Sequence, residues 1–244
     1  MKYESIDSKL FIKNRANFSR EMKKNSIAFF NSNDIYPVSA DSTLPFEQHR
    51  DIFYLSGIDQ EESILVLCPD NPNPDLREIL FLKETNDHIA VWEGPKINKT
   101  QALEISGIKT VFWLKDLEKL IDKLVNTCHN IYFNKNEHYR AKIETETREA
   151  RFNSWLEKKY PKKNKERSNP ILQRLRSIKD HKEISLIQQA CDITNKGFRR
   201  ILGFVKPGVW EYEIEAEFIH EFLINRSKKF AYTPIIASGN NANI

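Results

Sequence analysis

The sequence predicts an α/β protein in which a mixed sheet flanked by helices is followed by a shorter, mainly helical part. Short apolar runs alternate with amphipathic helical stretches over residues 1–165, which is typical of a layered α/β domain. Gly, Pro, Asn or Asp residues flank these runs, as expected for strands bounded by turns. After Arg176 the apolar residues recur at steps of three and four, the spacing of one helical face.

The first part, residues 1–165, begins with a predicted helix at 10–24 and continues with short strands. Strands are predicted at 26–30, 52–55, 64–68, 78–82, 88–92, 110–113 and 130–133. Helices are predicted at 99–106, 114–125 and 139–160. This order indicates a sheet with some antiparallel pairs, formed through the early hairpins.

The second part, residues 166–244, is entered through a basic run. Its members are Lys158, Lys159, Lys162, Lys163, Lys165 and Arg167. Tyr160 is the one aromatic residue within the run, and Asn169-Pro170 follows it. We therefore interpret the run as a solvated interdomain linker. A nucleic-acid partner is not indicated.

Two helices and one strand are predicted beyond the linker. The first helix has an apolar face made of Ile184, Ile187, Cys191, Phe198, Ile201, Leu202 and Val205. Pro207-Gly208 ends it, and a second helix begins near Glu211, with Ile214, Phe218 and Phe222 on its buried face. A strand at 230–239 follows. Since a lone strand leaves its backbone groups unpaired, we expect this part to be an incomplete α+β domain.

Composition excludes several classes of protein. With 40% hydrophobic and 30% charged residues the chain is expected to fold, and its net charge is only +4. Cys68, Cys128 and Cys191 lie far apart in the sequence, which provides neither a disulfide framework nor a CxxC metal site and favours a reducing cytoplasm. No leader-like or membrane-spanning apolar run is present, so we expect no membrane partner.

Motifs that carry chemistry are few. GxGxxG, GxxxxGK[ST], HExxH and GxSxG are all absent from the sequence. Glu213, Glu217 and His220 share one side of the second helix, where they could hold Mn or Fe, although a solvated charged face explains them better. Trp92 and Tyr232 each lie beside a turn, where packing is the more usual role than lining a pocket.

A family resemblance covers nearly the whole chain. Residues 46–57, F-E-Q-H-R-D-I-F-Y-L-S-G, resemble the F-R-Q-x-S-D-F-Y-Y-L-T/S-G signature of aminopeptidase P N-terminal domains. Residues 91–94, V-W-E-G, look like the W-x-G segment of that family, and residues 176–184 resemble the R-x-I-K-S-x-x-E-I opening of the pita-bread domain. Glu47, Arg50 and Ile52 depart from the signature. The sequence thus resembles the N-terminal part of a Xaa-Pro aminopeptidase of the pita-bread metallopeptidase family.

The resemblance implies a creatinase-like N-terminal domain at 1–165, which mediates oligomer contacts, and a linker with the start of the pita-bread catalytic domain at 166–244. The parent protein would be a homodimer or homotetramer. Its two divalent ions, manganese by resemblance, would be held by two aspartates, a histidine and two glutamates that follow position 244 in the family. The resemblance therefore implies neither a metal nor a catalytic residue in this chain.

The resemblance also implies an activity and a set of pocket residues. The parent would release an N-terminal residue that precedes proline, by metal-hydroxide attack, and this chain alone would be inert. Tyr232, Ser238, Gly239 and Asn241 look like residues near the substrate pocket. Trp92 is similar to a family tryptophan that reaches the active site of a neighbouring subunit.

Two other interpretations remain open at this point. A prolidase or a creatinase-like hydrolase shares the fold and differs in the bond or the length of substrate. A protein of another class, a non-catalytic pita-bread homologue or a separate N-terminal module, would act in binding or oligomerisation. The metal ligands downstream would distinguish these cases.

Overall fold

The computed structural model describes residues 3–141 and 144–243. The chain forms two compact units, one spanning Ile6–Ile178 and the other containing the residues from Lys179 onward. None of the helices in the described parts of the chain is both long and apolar enough to cross a lipid bilayer.

The first unit is built on a six-stranded mixed sheet. Its strands are β1 (Ser26–Asn31), β4 (Ile64–Leu67), β5 (Glu78–Leu82), β6 (Thr110–Trp113), β7 (Asn130–Phe133) and β8 (Asn164–Arg167). They are arranged in the order β6-β5-β4-β1-β7-β8, and a separate hairpin joins β2 (Pro37–Ser39) to β3 (Ser42–Thr43). The pairs β1–β7, β7–β8 and β5–β6 are parallel, whereas β4 pairs antiparallel with both β1 and β5. The predicted mixed sheet is confirmed.

Helices cover both faces of this sheet. One face packs against α1 (Ser8–Glu21), α2 (Arg50–Ser56), α4 (Lys99–Ser106) and α7 (Asn169–Ser177). The other packs against α5 (Leu117–Asn126) and α6 (Arg148–Lys159). Successive side chains of β1 belong to opposite faces of the sheet. Ala28 and Phe30 are part of the first hydrophobic cluster, and Ile27 and Phe29 are part of the second.

Two of the predicted strands are helices. Residues 52–55 lie inside α2, and residues 88–92 lie inside α3 (Asp87–Glu93). Local capping explains both corrections: the side chain of His49 accepts the Asp51 N–H of α2, and the side chain of Asn86 accepts the Ile89 N–H of α3. These caps outweigh the β-propensity of the apolar residues that follow.

Residues around the basic run also differ from the prediction. The linker interpretation is wrong for Asn164–Arg167, because these residues form β8 at the edge of the sheet. The helix α7 that follows was not predicted, and it buries Ile171 and Leu172 in the first unit. The predicted helix at 139–160 begins only at Arg148; residues 142–143 of that prediction lie outside the described residues.

The second unit consists of a helical pair and a C-terminal segment. Its helices are α8 (His181–Phe204) and α9 (Glu211–Ile224), and Gly239–Asn243 forms a short 3-10 helix. The helices pack through Gly197, where an added Cβ would lie 2.8 Å from the Phe218 ring. The strand predicted at 230–239 is wrong: residues 230–238 form bends and irregular structure, Gly239 begins the 3-10 helix, and no described strand pairs with them.

The apolar face predicted on α8 is correct as a sequence pattern but is not buried. Leu202 is 75% exposed and Phe198 is 56% exposed, and Gly197 is the residue of α8 that is buried. On α9, Phe218 and Phe222 are only partly buried, and both contact Phe230 through their rings. The described residues of this unit therefore do not enclose a core of their own.

Candidate functional site

A loop of the second unit is anchored on one carboxylate, that of Glu211, at the first residue of α9. The Ser238 backbone N–H donates a hydrogen bond to Glu211 Oε1 at 2.7 Å, and the Ser238 hydroxyl lies 3.1 Å from the same oxygen. Asn241 Nδ2 lies 3.4 Å from it. The Ser238 backbone N–H, then Asn241 and the Ser238 hydroxyl, lower the pKa of Glu211. Glu211 is thus held as an anion that orders the loop.

The local sequence explains why the Glu211 carboxylate binds the loop and does not cap α9. Gly208, with φ of +93°, permits the turn before α9, and Trp210 donates its backbone N–H to Glu213 Oε2 at 2.7 Å. Since Glu213 caps the helix, Glu211 is left to face the loop. Gly239 has φ of +55°, which a glycine adopts readily as the chain turns into the 3-10 helix.

The structure groups the predicted pocket residues only in part. Ser238 and Asn241 converge on Glu211, with Gly239 between them. Tyr232 is 79% exposed and is not a partner of Glu211. Trp92 lies in the first unit, on α3, and is 81% exposed. Their assignment as pocket residues stays a prediction.

The acidic side of α9 has structural roles. Glu213 caps the helix, and Glu217 forms an ion pair with Arg200, which also lies 3.7 Å from Glu221. His220 is exposed. Among residues 3–141 and 144–243, no three His, Cys, Asp or Glu side chains are placed to hold a metal ion together. The described residues therefore do not fit a metal centre.

The 46–57 segment forms a hydrogen-bonded turn that leads into α2. The buried Gln48 donates from Nε2 to the carbonyl oxygens of Ile58 at 3.0 Å and Gln60 at 2.9 Å. Its Oε1 accepts the His49 backbone N–H at 2.8 Å. At the other end, Gly57 has φ of +71° and contacts Phe11 so closely that a Cβ there would lie 2.3 Å from the ring. These residues therefore serve the fold of the first unit.

Asp51 joins two motifs that are far apart in the sequence. Its carboxylate accepts hydrogen bonds from Arg176 Nη1 at 2.6 Å and from Asn134 Nδ2 at 3.0 Å. Arg176 also lies over the Tyr54 ring, 5.7 Å from its centroid. Sequence reasoning missed this contact, because both motifs carry charges of both signs and no spacing rule pairs Asp51 with Arg176.

A buried carboxylate, that of Glu149, lies near this contact. Asn31 donates to Glu149 from Nδ2 at 2.9 Å and from its backbone N–H at 3.2 Å. Burial raises the pKa of Glu149 to about 8, against the effect of these neutral donors. Glu149 and Asn134 line a cavity of about 1020 Å³. Sequence reasoning missed Glu149, because the predicted helix at 139–160 places it in the interior of the helix and not at its start.

Comparison with known families assigns the first unit. The sequence profile described as "Aminopeptidase P, N-terminal domain" matches residues 11–132, half of the chain. The chain belongs to the aminopeptidase P family. The profile described as "Metallopeptidase family M24" matches residues 185–244. The two matches fall in different compact units of this aminopeptidase P chain.

Relatives of known function or structure agree with this assignment. Xaa-Pro aminopeptidase 3 of Homo sapiens is 28% identical over 87% of this chain and 42% of its own length. Xaa-Pro aminopeptidase of Escherichia coli K12 is 25% identical over 97% of this chain and 54% of its own length. A solved aminopeptidase P candidate from Bacillus anthracis is 27% identical, with a TM-score of 0.88 over 98% of this chain and 57% of that one. The chain thus spans about half the length of the curated relatives it matches.

Proposed function

We propose that the whole protein is a metal-dependent aminopeptidase that releases the N-terminal residue from peptides with proline at the second position. One observation carries the proposal: an aminopeptidase P N-terminal domain is followed, in one chain and in order, by an M24 metallopeptidase match. Relatives named Xaa-Pro aminopeptidase support the substrate class.

Within this proposal, the N-terminal domain predicted at 1–165 continues to Ile178, and the start of the catalytic domain follows from Lys179. The compact unit Ile6–Ile178 indicates that β8 and α7 belong with the first of these. The N-terminal domain forms the contacts of a homodimer or homotetramer, in which the exposed Trp92 reaches a neighbouring subunit's active site. The protein acts in the cytoplasm.

In this proposal, the loop held by Glu211 is the part of the second unit that contacts the peptide substrate. Because Glu211 fixes Ser238 and Asn241, it presents the loop as a preformed wall of the peptide pocket, with Tyr232 nearby in the chain. Two divalent ions, manganese in this proposal, would supply Lewis-acid activation of water and of the scissile carbonyl in the full-length protein. In this proposal the ligands of these ions lie in the rest of the protein, and the 244-residue chain alone is expected to be inactive.

The test compares the full-length protein with the 244-residue chain. The substrates are Ala-Pro-Ala, Ala-Ala-Ala and the dipeptide Ala-Pro, each in the presence of Mn²⁺. Full-length protein should release alanine from Ala-Pro-Ala at least about a hundredfold faster than from Ala-Ala-Ala. A chelator should remove this activity and Mn²⁺ should restore it, whereas the 244-residue chain should show neither turnover nor stoichiometric metal by elemental analysis.

Other outcomes of the same assay contradict the proposal. Cleavage of Ala-Pro alone would make the protein a prolidase. No cleavage of any of the three peptides by metal-loaded full-length protein would indicate a non-catalytic homologue.

A further inference from the structure

Two cysteines that are 60 positions apart in the sequence meet inside the first unit. The Sγ atoms of Cys68 and Cys128 lie 3.2 Å apart, in direct contact. Both residues are buried, with exposed fractions of 1% and 2%. Their separation in the sequence gave no sign of this contact; the third cysteine, Cys191, is exposed.

Backbone contacts, not the sulfurs, hold the pair together. Cys68 directly follows β4, and Cys128 lies between α5 and β7. Both segments are bonded to Asn25: its N–H donates to Asp70 Oδ2 at 2.6 Å, and its carbonyl oxygen accepts the His129 N–H, also at 2.6 Å. Since one residue fixes both segments, the two sulfurs are already positioned before any bond forms between them.

The surroundings distinguish the two sulfurs chemically. Cys128 Sγ lies 3.6 Å from the Thr127 hydroxyl, and Lys163 donates a hydrogen bond to the Cys128 carbonyl oxygen. The hydrogen bond from Cys68, then Thr127 and the Lys163 charge, lowers the pKa of Cys128 against the effects of burial and of Asp70. The bond to Cys128 and burial raise the pKa of Cys68. Cys128 is thus the sulfur that ionises first, next to a neutral thiol.

We propose that Cys68 and Cys128 form a reversible disulfide when the protein meets a hydroperoxide. The Cys128 thiolate attacks one peroxide oxygen, the O–O bond breaks, and Cys128 becomes a sulfenic acid as the leaving hydroxide takes up a proton. Cys68 then attacks the sulfenic sulfur, the S–S bond forms, and a second water leaves with the proton of Cys68. In sum, with hydrogen peroxide as the oxidant, two thiols are oxidised by two electrons and one hydrogen peroxide molecule is reduced to two waters.

The disulfide would cross-link two strand segments of one sheet. It closes a loop of 60 residues between β4 and β7 and so restricts the unfolded chain. We expect the Tm of the first unit to rise by about 5–10 °C on oxidation and to return when a thiol reductant is added.

The experiment uses the 244-residue chain with C191S, which removes the exposed thiol. Hydrogen peroxide is the probe because it is small enough to reach buried sulfurs through local opening. After oxidation, remaining thiols are blocked with N-ethylmaleimide in denaturant, and the intact mass and tryptic peptides are measured. The expected result is a loss of two hydrogens, no maleimide label, and a peptide linking Cys68 to Cys128.

Matched variants make the outcome decisive. C68S/C191S should accumulate sulfenic acid on Cys128, and C128S/C191S should react at least about tenfold more slowly. The proposal is overturned if the C191S chain keeps two labelled thiols under conditions that oxidise Cys191 in the parent chain. It is equally overturned if the products are sulfinic acids without a linking peptide. Because no step depends on peptidase activity, these results are independent of the proposed function.

Discussion

Replacing Glu149 with glutamine should remove a pH dependence of stability that this buried carboxyl imposes. Its hydrogen-bond partners, the backbone N–H and side chain of Asn31 and the side chain of Asn134, are all neutral, and the nearby Asp51 carboxylate further disfavours its charge. Burial raises the pKa of Glu149 from 4.5 to about 8 in the folded protein. A raised folded-state pKa means that the stabilisation is complete below pH 4.5 and is lost as the pH rises towards 8.

The magnitude follows from the two pKa values of Glu149. Each pH unit between them corresponds to about 1.4 kcal/mol, so the contribution falls by about 3.5 kcal/mol between pH 5 and pH 8. His49 acts in the opposite direction, because burial lowers its pKa. The useful quantity is therefore the difference between E149Q and the parent chain, which leaves the His49 effect in both.

The assay is urea unfolding followed by circular dichroism from pH 5 to pH 9. The stability of E149Q relative to the parent should increase by about 3.5 kcal/mol from pH 5 to pH 8. E157Q, which changes an exposed carboxylate on the same helix, serves as the control and should show no such trend. A difference that stays constant within about 1 kcal/mol would refute the reasoning, because it would mean that Glu149 is charged in the folded protein at pH 5.

Two further predictions concern the turn after α2 and the Glu211 anchor. G57A should destabilise the first unit by about 2–4 kcal/mol in urea unfolding, because the new methyl group meets Phe11 at 2.3 Å and the backbone has φ of +71°; an unchanged midpoint would contradict the close contact. E211Q should speed amide hydrogen exchange at Ser238, whose N–H the carboxylate accepts at 2.7 Å. E215Q, one turn further along α9, should leave that rate unchanged, and equal protection in both variants would argue against the anchor.

Local sequence was sufficient for five strands of the main sheet, β1, β4, β5, β6 and β7, and for the helices α1, α4, α5 and α6 to within a few residues, except for the early start predicted for α6. The predictions at 78–82, 110–113 and 130–133 match β5, β6 and β7 residue for residue, because each is a short apolar run between turn residues. The strands predicted at 52–55 and 88–92 failed. At each place a single capping side chain starts a helix. The prediction used only the β-branched and aromatic residues of the segment, which carry no information about a cap.

Family membership and the order of the two domains could also be read from the sequence, since both are carried by linear motifs that the profile matches confirm. The pocket candidates were named only by resemblance. The structure then showed that Ser238 and Asn241 share the carboxylate of Glu211. No spacing rule connects a residue at the start of α9 with a loop 27 positions later.

By itself the sequence determined where five strands of the main sheet lie, that helices would flank a mixed sheet, and which family the chain belongs to. Those properties depend on neighbours along the chain and on side-chain alternation. Only the tertiary structure decided that Cys68 meets Cys128, that Asp51 meets Arg176 and that Glu149 is buried without a cationic hydrogen-bond partner among the described residues. Each of these contacts joins separate elements, so its chemistry depends on strand order and helix packing, which no local pattern contains.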